Sequence, residues 1–241
     1  MSLQGKTVMI TGGGVRLGRA MAWSIAHQGG HILLHYNRSH QQAEDLQSEI
    51  QKLGGQAHLV QADLANADGT LDLIDQISSY KPLYALINSA SIFAPIDLSS
   101  TTLDDWETHF RVNLTAPFLL CKAFPSLIEP GGSGRIINIL DWRALRPGKD
   151  HLPYTISKAA LSALTQSLAV ELAPNITVNG LAFGAILPPS DGGDTDRILE
   201  NVPAERWAHL EEVGEALLFL LEGPEYITGE IIHLDGGRHL I

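Results

Sequence analysis

The 241-residue sequence predicts an α/β fold: a doubly wound three-layer sandwich, with helices on both faces of a parallel sheet. Three observations predict it. Short apolar runs rich in β-branched residues alternate with longer stretches of helical period, the pattern of βαβ units. A glycine-rich turn directly follows the first apolar run. Length and composition, 44% hydrophobic and 18% charged, suit a single domain over residues 1–241 with a well-buried core.

Taken in order, the first run, Thr7 to Ile10, is a strand leading into the glycine turn and a helical pattern at 17–28. His31 to Tyr36 is a second strand before a helix at 39–53, and Ala57 to Gln61 a third before one at 67–79. Leu83 to Asn88 precedes the longest helical pattern, 103–127, and Arg135 to Leu140 precedes another at 152–173. Ile176 to Leu181, a helix at 204–221 and Glu230 to Leu234 complete seven strands. The Pro/Gly/Asp-rich stretch Leu187 to Asp196 breaks the alternation without a change of composition on either side. It reads as a mobile loop within a substrate segment near 185–204, not as a linker. Ser157 to Ala173 is apolar or small around most of its circumference, so a single core-facing stripe does not account for it. Either an intrachain neighbour or a subunit interface covers the second face, and the interface is favoured.

Composition excludes several classes of function. A formal charge of −11 argues against a nucleic-acid or anionic-membrane surface, which would reward clustered Lys and Arg. No apolar run reaches the roughly eighteen residues of a membrane span. The N-terminus has no basic region followed by an apolar stretch and a cleavage site, and Cys121 has no internal partner, so the cytoplasm is the expected compartment. The ten histidines form no HExxH-like pair, so no metal site is expected. The expected partner is a small molecule.

The turn Thr11-Gly12-Gly13-Gly14-Val15-Arg16-Leu17-Gly18 links the first strand to a helix. Glycines there let the backbone approach a pyrophosphate, and the helix N-terminus offers unpaired N–H groups and a positive dipole end. A plain tight turn would use the same glycines, but the position on the first βα connection favours a dinucleotide. At the end of the second strand an acid would select NAD by binding the ribose 2′-hydroxyl and repelling a 2′-phosphate. This chain has His35-Tyr36-Asn37-Arg38-Ser39 instead. Arg38 can pair with a phosphate, Ser39 can donate to it and Arg16 can approach it, so NADPH/NADP is the expected cofactor. Asp63, in Ala62-Asp63-Leu64 after the third strand, either binds the adenine amino group or caps the following helix.

Tyr154 and Lys158 are four apart in a helical pattern and share one face. For a phenol to exchange a proton near neutrality its pKa must move by about three units, or about 4 kcal/mol. A neighbouring ammonium and an oxidised nicotinamide, both cationic, could supply this.

The glycine loop, Asn88-Ser89-Ala90, Asn113, the Tyr154–Lys158 pair and the order of elements together resemble a short-chain dehydrogenase/reductase over essentially the whole chain. The resemblance implies a Rossmann-type sheet of order 3-2-1-4-5-6-7 and a homodimer or homotetramer. It makes Tyr154 the proton donor, with Lys158 holding the nicotinamide ribose and lowering the tyrosine pKa. Asn113 would anchor a water relay, and Asn88 would position the cofactor.

Three positions depart from the family pattern. Its second loop glycine is here Arg16, its catalytic serine thirteen residues before the tyrosine is Asp141, and its Pro-Gly after the sixth strand is Phe183-Gly184. Together with His35, Arg38, Ser39, Ser91, Phe93 and the C-terminal Asp235-Gly236-Gly237-Arg238-His239-Leu240, these resemble the pteridine reductase and dihydromonapterin reductase branch. In that branch the arginine contacts cofactor phosphate and substrate, the phenylalanine stacks on the pterin and an Asp replaces the serine. Ser89, Phe183 and the short substrate loop differ from it.

An ionised aspartate accepts hydrogen bonds but repels a developing alkoxide, so Asp141 suits a substrate with ring N–H groups and a C=N bond better than a plain ketone. Asp141 also has a structural reading, pairing with Arg143 or capping a loop. Phe93 reads equally well as core packing, and Trp142 lines either pocket or core. Two further functions stand beside a pteridine reductase: an NADPH-dependent carbonyl or 3-oxoacyl thioester reductase, and a regulator that senses NADPH without turning it over.

Overall fold

A computed structural model describes residues 3–188 and 198–241. Most of the expected loop at 187–196 therefore lies outside the described residues. Seven parallel strands form one sheet in the order β3-β2-β1-β4-β5-β6-β7. They are β1 (Thr7–Ile10), β2 (His31–Tyr36), β3 (Gln56–Gln61), β4 (Ala85–Asn88), β5 (Gly134–Asp141), β6 (Ile176–Phe183) and β7 (Ile231–Leu234). The sheet reverses direction of build at β1, which pairs with β2 on one side (Ile10 with Leu34) and β4 on the other (Ile10 with Ile87). The carboxyl ends of β1 and β4 thus open a crevice where ligands bind in such sheets.

The strands are apolar throughout because both faces are covered. Along β1, Val8 and Ile10 enter one core with Met21, Ile25, Leu46, Ile50 and Leu217, while Met9 enters the other with Leu73, Leu120, Phe124 and Leu168. The first core is roofed by α1 (Arg16–His27), α2 (His40–Lys52) and α7 (Leu210–Glu222). The second is roofed by α3 (Ala67–Ser78), α5 (Ala116–Ala123) and α6 (Leu152–Leu172). α4 (Leu103–Phe110) packs beside α6 and covers part of its outer side, while Ile156 and Val170 of α6 stay exposed.

Two helices differ from their sequence patterns. The run 103–127 is interrupted by a π-helical turn at Arg111–Thr115 before α5, and ends in a 3₁₀ turn at Phe124–Ser126. The pattern at 204–221 becomes a helix only from Leu210. Ahead of it, Ala204 N donates to Gly236 O, Ala208 N donates to Ala185 O, and Glu205 has a left-handed φ of 54°. Those amides serve neighbouring segments, so the helix starts at His209, whose backbone N–H is capped by Glu212 at 2.7 Å. Among the described residues, no helix is long and apolar enough to cross a membrane.

Candidate active site

The glycine turn is built for close approach of backbone. Gly12 has φ 65°, and a Cβ there would lie 2.9 Å from Ala90 Cα; at Gly18 it would lie 2.1 Å from Gly12 O. Only glycine permits both. Thr11 Oγ1 accepts Ser89 N (2.9 Å) and Ala90 N (3.0 Å), fastening the turn to the end of β4. α1 then starts without a capping side chain and with no acid in its first turn, which leaves its terminal N–H groups suited to an anion. Gly14 faces Ser39, whose Oγ would be 3.2 Å from an added Cβ, and Leu17 packs against the first core. Arg16 holds φ 48°, a left-handed conformation that glycine adopts more readily, and its Nη2 donates to Pro188 O at 3.1 Å.

At the end of β2 the expected residues separate into two groups. His35 is buried: Gly12 N donates to its Nδ1 at 3.1 Å, so the proton sits on Nε2, which donates to Ala62 O at 3.2 Å. Burial holds its pKa down at about 4. His35 is therefore a neutral brace between the glycine turn and β3. Tyr36 is also buried and bonds His40 Nδ1 through its hydroxyl. Asn37 donates to Asp63 Oδ1 at 3.1 Å, the same oxygen that accepts Ala65 N, while Leu64 is buried in the second core. Arg38 stands exposed, with no ion pair among the described residues. A free guanidinium and the Ser39 hydroxyl beside Gly14 fit a 2′-phosphate, and the uncapped α1 fits a pyrophosphate, so these residues fit a dinucleotide.

Tyr154 and Lys158 sit on the first turns of α6, facing the end of β5. Tyr154 Oη donates to Asp141 Oδ2 at 3.0 Å, and Asp141 Oδ1 accepts Arg143 N at 2.8 Å. Lys158 Nζ donates to Ile139 O at 2.7 Å and lies 5.8 Å from the Tyr154 ring centre. Burial lowers the Lys158 pKa to about 8, against the pull of the Asp141 charge. Burial also raises Asp141, and burial together with the charge and hydrogen bond of Asp141 raises Tyr154 well above its usual value. The sequence reading has cationic neighbours lowering the phenol. Among the chain's own groups the balance runs the other way, because burial raises the phenol and the adjacent carboxylate adds to the rise.

Asn113 lies in the π turn and is fully buried. Its Oδ1 accepts Ile92 N (2.9 Å) and Ser91 Oγ (3.2 Å), and its Nδ2 donates to Ile92 O (3.1 Å) and Ser157 Oγ (3.0 Å). It stitches the segment after β4 to α6, its amide engaged entirely by protein groups. Asn88 points inward too, donating to Asn138 Oδ1 at 2.8 Å, and Asn138 donates to Thr165 on α6 at 2.9 Å. Gly184 serves packing, because a Cβ there would be 2.6 Å from Asp235 Cα.

Phe93 is 52% exposed, so it is not a core residue. Its ring stacks on His151 at 3.9 Å and 10°, meets Tyr154 edge-on at 4.6 Å and lies 5.4 Å from the Arg143 guanidinium. Phe93, Tyr154 and Asp141 thus converge on one corner. Sequence reasoning missed Thr11, Ser157, Asn138 and His151, whose work depends on partners distant in the chain. His151 did carry a signal, lying three residues before Tyr154.

The family model described as enoyl-(acyl carrier protein) reductase matches residues 14–239. A 3-oxoacyl-[acyl-carrier-protein] reductase of Synechocystis sp. is 33% identical over 241 residues, 98% of each chain. The crystal structure of FolM alternative dihydrofolate reductase 1 from Brucella canis, complexed with NADP, is 34% identical and superposes with a TM-score of 0.93 over 99% of this chain and 96% of that one. A blue fluorescent protein from a metagenomic library, in complex with NADPH, is 31% identical with a TM-score of 0.91 over 99% of each chain.

Proposed function

The chain belongs to the short-chain dehydrogenase/reductase family and is an NADP-dependent oxidoreductase; from that premise we propose that it reduces a pteridine, of the dihydropterin or dihydrofolate type. The observation that carries this reading is the hydrogen bond from Tyr154 to the Asp141 carboxylate. A group that only accepts would oppose the alkoxide formed from a ketone, whereas a pteridine offers ring N–H and amino groups to it. The Phe93 ring beside Tyr154 supports a flat substrate. The likeness to FolM alternative dihydrofolate reductase 1 points the same way.

The reduced nicotinamide supplies the hydride. Tyr154, kept protonated by burial and by Asp141, gives its hydroxyl proton to the ring nitrogen of the C=N bond as carbon receives the hydride. Asp141 accepts from the Tyr154 hydroxyl at 3.0 Å and so orients it, and the phenolate left behind recovers its proton from solvent once the product leaves. Lys158, its ammonium anchored on Ile139 O, would hold the nicotinamide ribose. Arg38, Ser39 and Arg16 would hold the 2′-phosphate.

The likeness to the Synechocystis reductase favours a second reading, reduction of a 3-oxoacyl thioester. Assaying dihydrobiopterin, dihydromonapterin and dihydrofolate with NADPH beside simple ketones and acetoacetyl-coenzyme A separates the two. Turnover of pteridines is expected, and turnover of ketones or thioesters alone would overturn the pteridine reading.

A further inference from the structure

We propose that Arg143 and Arg238 form an anion subsite beside the catalytic corner, which takes a carboxylate or phosphate substituent of the substrate. The inference deepens the reductase reading and rests on it.

The two guanidiniums come from distant parts of the chain. Arg143 lies in the short 3₁₀ turn Trp142–Ala144, two residues past Asp141. Arg238 is delivered by a turn after β7 in which Gly236 (φ 63°) and Gly237 (φ 85°) reverse the backbone. The buried Asp235 carboxylate fixes that turn, accepting Gly237 N at 3.0 Å, His239 N at 2.8 Å and His239 Nδ1 at 2.7 Å. The result lays both cations over one indole: Arg238 is 4.2 Å and Arg143 4.9 Å from the Trp142 ring centre.

Their hydrogen-bond donors are incompletely used. The Nε atoms of both arginines are buried without a hydrogen-bond partner. Arg143 donates through Nη2 to Asp150 at 3.2 Å and lies 3.9 Å from Asp141 Oδ1. Arg238 makes no ion pair among the described residues; burial and the nearby charge of Arg143 lower its pKa, and the more weakly acting charges of Asp141, Asp150 and Asp235 pull the other way. Asp141 is engaged by Tyr154 and Arg143 N, and Asp235 by its own turn. Like charges that share one indole face and leave donors unpaired are costly, and an anion that accepts from both guanidiniums offsets that cost. Because Arg143 also lies 5.4 Å from the Phe93 ring centre, an anion here would be attached to a molecule whose ring rests by Phe93 and Tyr154.

The test uses the NADPH-loaded enzyme with three substrates: dihydrobiopterin, whose side chain is uncharged; dihydrofolate, which carries two carboxylates; and a phosphate ester of a dihydropterin. Arg238→Gln keeps the side-chain stem, and Arg238→Ala removes it. Either is expected to raise KM for the acidic substrates about tenfold or more while leaving kcat and the KM for dihydrobiopterin within about twofold. A response to dihydrofolate alone assigns the site to carboxylates, and a response to the ester alone assigns it to phosphate. Equal effects on acidic and neutral substrates, or no effect, would overturn the subsite. If no pteridine is turned over, ethyl acetoacetate and acetoacetyl-coenzyme A take the same roles. A selective loss for the anionic thioester then keeps the subsite while the pteridine reading falls, and an equal loss removes both. Should Arg238→Ala fail to fold, Arg238→Gln carries the comparison.

Discussion

Tyr154 donates its hydroxyl to Asp141 Oδ2 across 3.0 Å, so the phenol of the catalytic helix and the carboxylate ending β5 share one proton-bearing contact. Burial raises both pKa values in the pair, the contact adds to the rise at Tyr154 and opposes it at Asp141, and the Asp141 charge favours the Lys158 ammonium.

Replacing the carboxylate should therefore change chemistry and pH dependence together. Asp141→Ser is expected to lower kcat/KM for pteridines by about 100-fold, the size of one transition-state contact, and to raise turnover of 3-oxo substrates. With the negative charge gone, the Lys158 pKa falls below about 8, so the alkaline limb of the pH profile moves to lower pH. An unmoved limb would separate Lys158 from that ionisation.

Tyr154→Phe keeps the buried ring and removes the hydroxyl, and with it the proton and the bond to Asp141. It should lower kcat by roughly 10²–10⁴-fold and leave the dissociation constant for NADPH unchanged, as measured by fluorescence titration. Equal losses of both would mean that the hydroxyl mainly supports the cofactor site.

Arg38→Ala tests cofactor choice. Losing a phosphate contact should raise KM for NADPH by about 10–100-fold with KM for NADH nearly constant. Parallel changes for the two cofactors would place Arg38 outside the 2′-phosphate site.

His35 makes stability sensitive to acid. Its folded pKa of about 4 lies below the ordinary 6.5, so between these values the unfolded chain binds a proton that the folded chain refuses. Stability should be complete above pH 6.5 and decline as pH falls toward 4, by on the order of 3 kcal/mol for this group. Urea midpoints against pH should show a shallower decline for His35→Gln, although that variant starts less stable.

Gly12→Ala meets two obstacles, a left-handed φ and Ala90 Cα at 2.9 Å. A loss of roughly 2–4 kcal/mol is expected, read as a lower urea midpoint, with NADPH affinity weakened as the β1 turn shifts off β4.

Much of this architecture was legible because it depends on local period. Strands such as His31–Tyr36 have the bounds their apolar pattern predicts, since both faces of a parallel sheet demand it. Tyr154 and Lys158 were legible from their spacing and Asp141 from the family resemblance; Tyr154 and Asp141 meet at 3.0 Å, while Lys158 bonds Ile139 O beside them. What the pattern hid was long-range bonding. His35 reads as a cofactor ligand from its position, yet its two nitrogens are taken by Gly12 and Ala62. Asn88 likewise faces Asn138. Helical period continues through 111–115 and 204–209, where tertiary hydrogen bonds decide the backbone.

The wide turn at Arg111–Thr115 separates what is good for a helix from what is good for this enzyme. Shortening the segment by one residue would restore uniform i→i−4 bonding and could harden the protein against heat, while rotating Asn113 out of its contacts with Ile92 and Ser157. A screen that rewards thermal resistance alone would tend to erase this irregularity, so variants selected that way should lose turnover first, with the rest of the molecule intact.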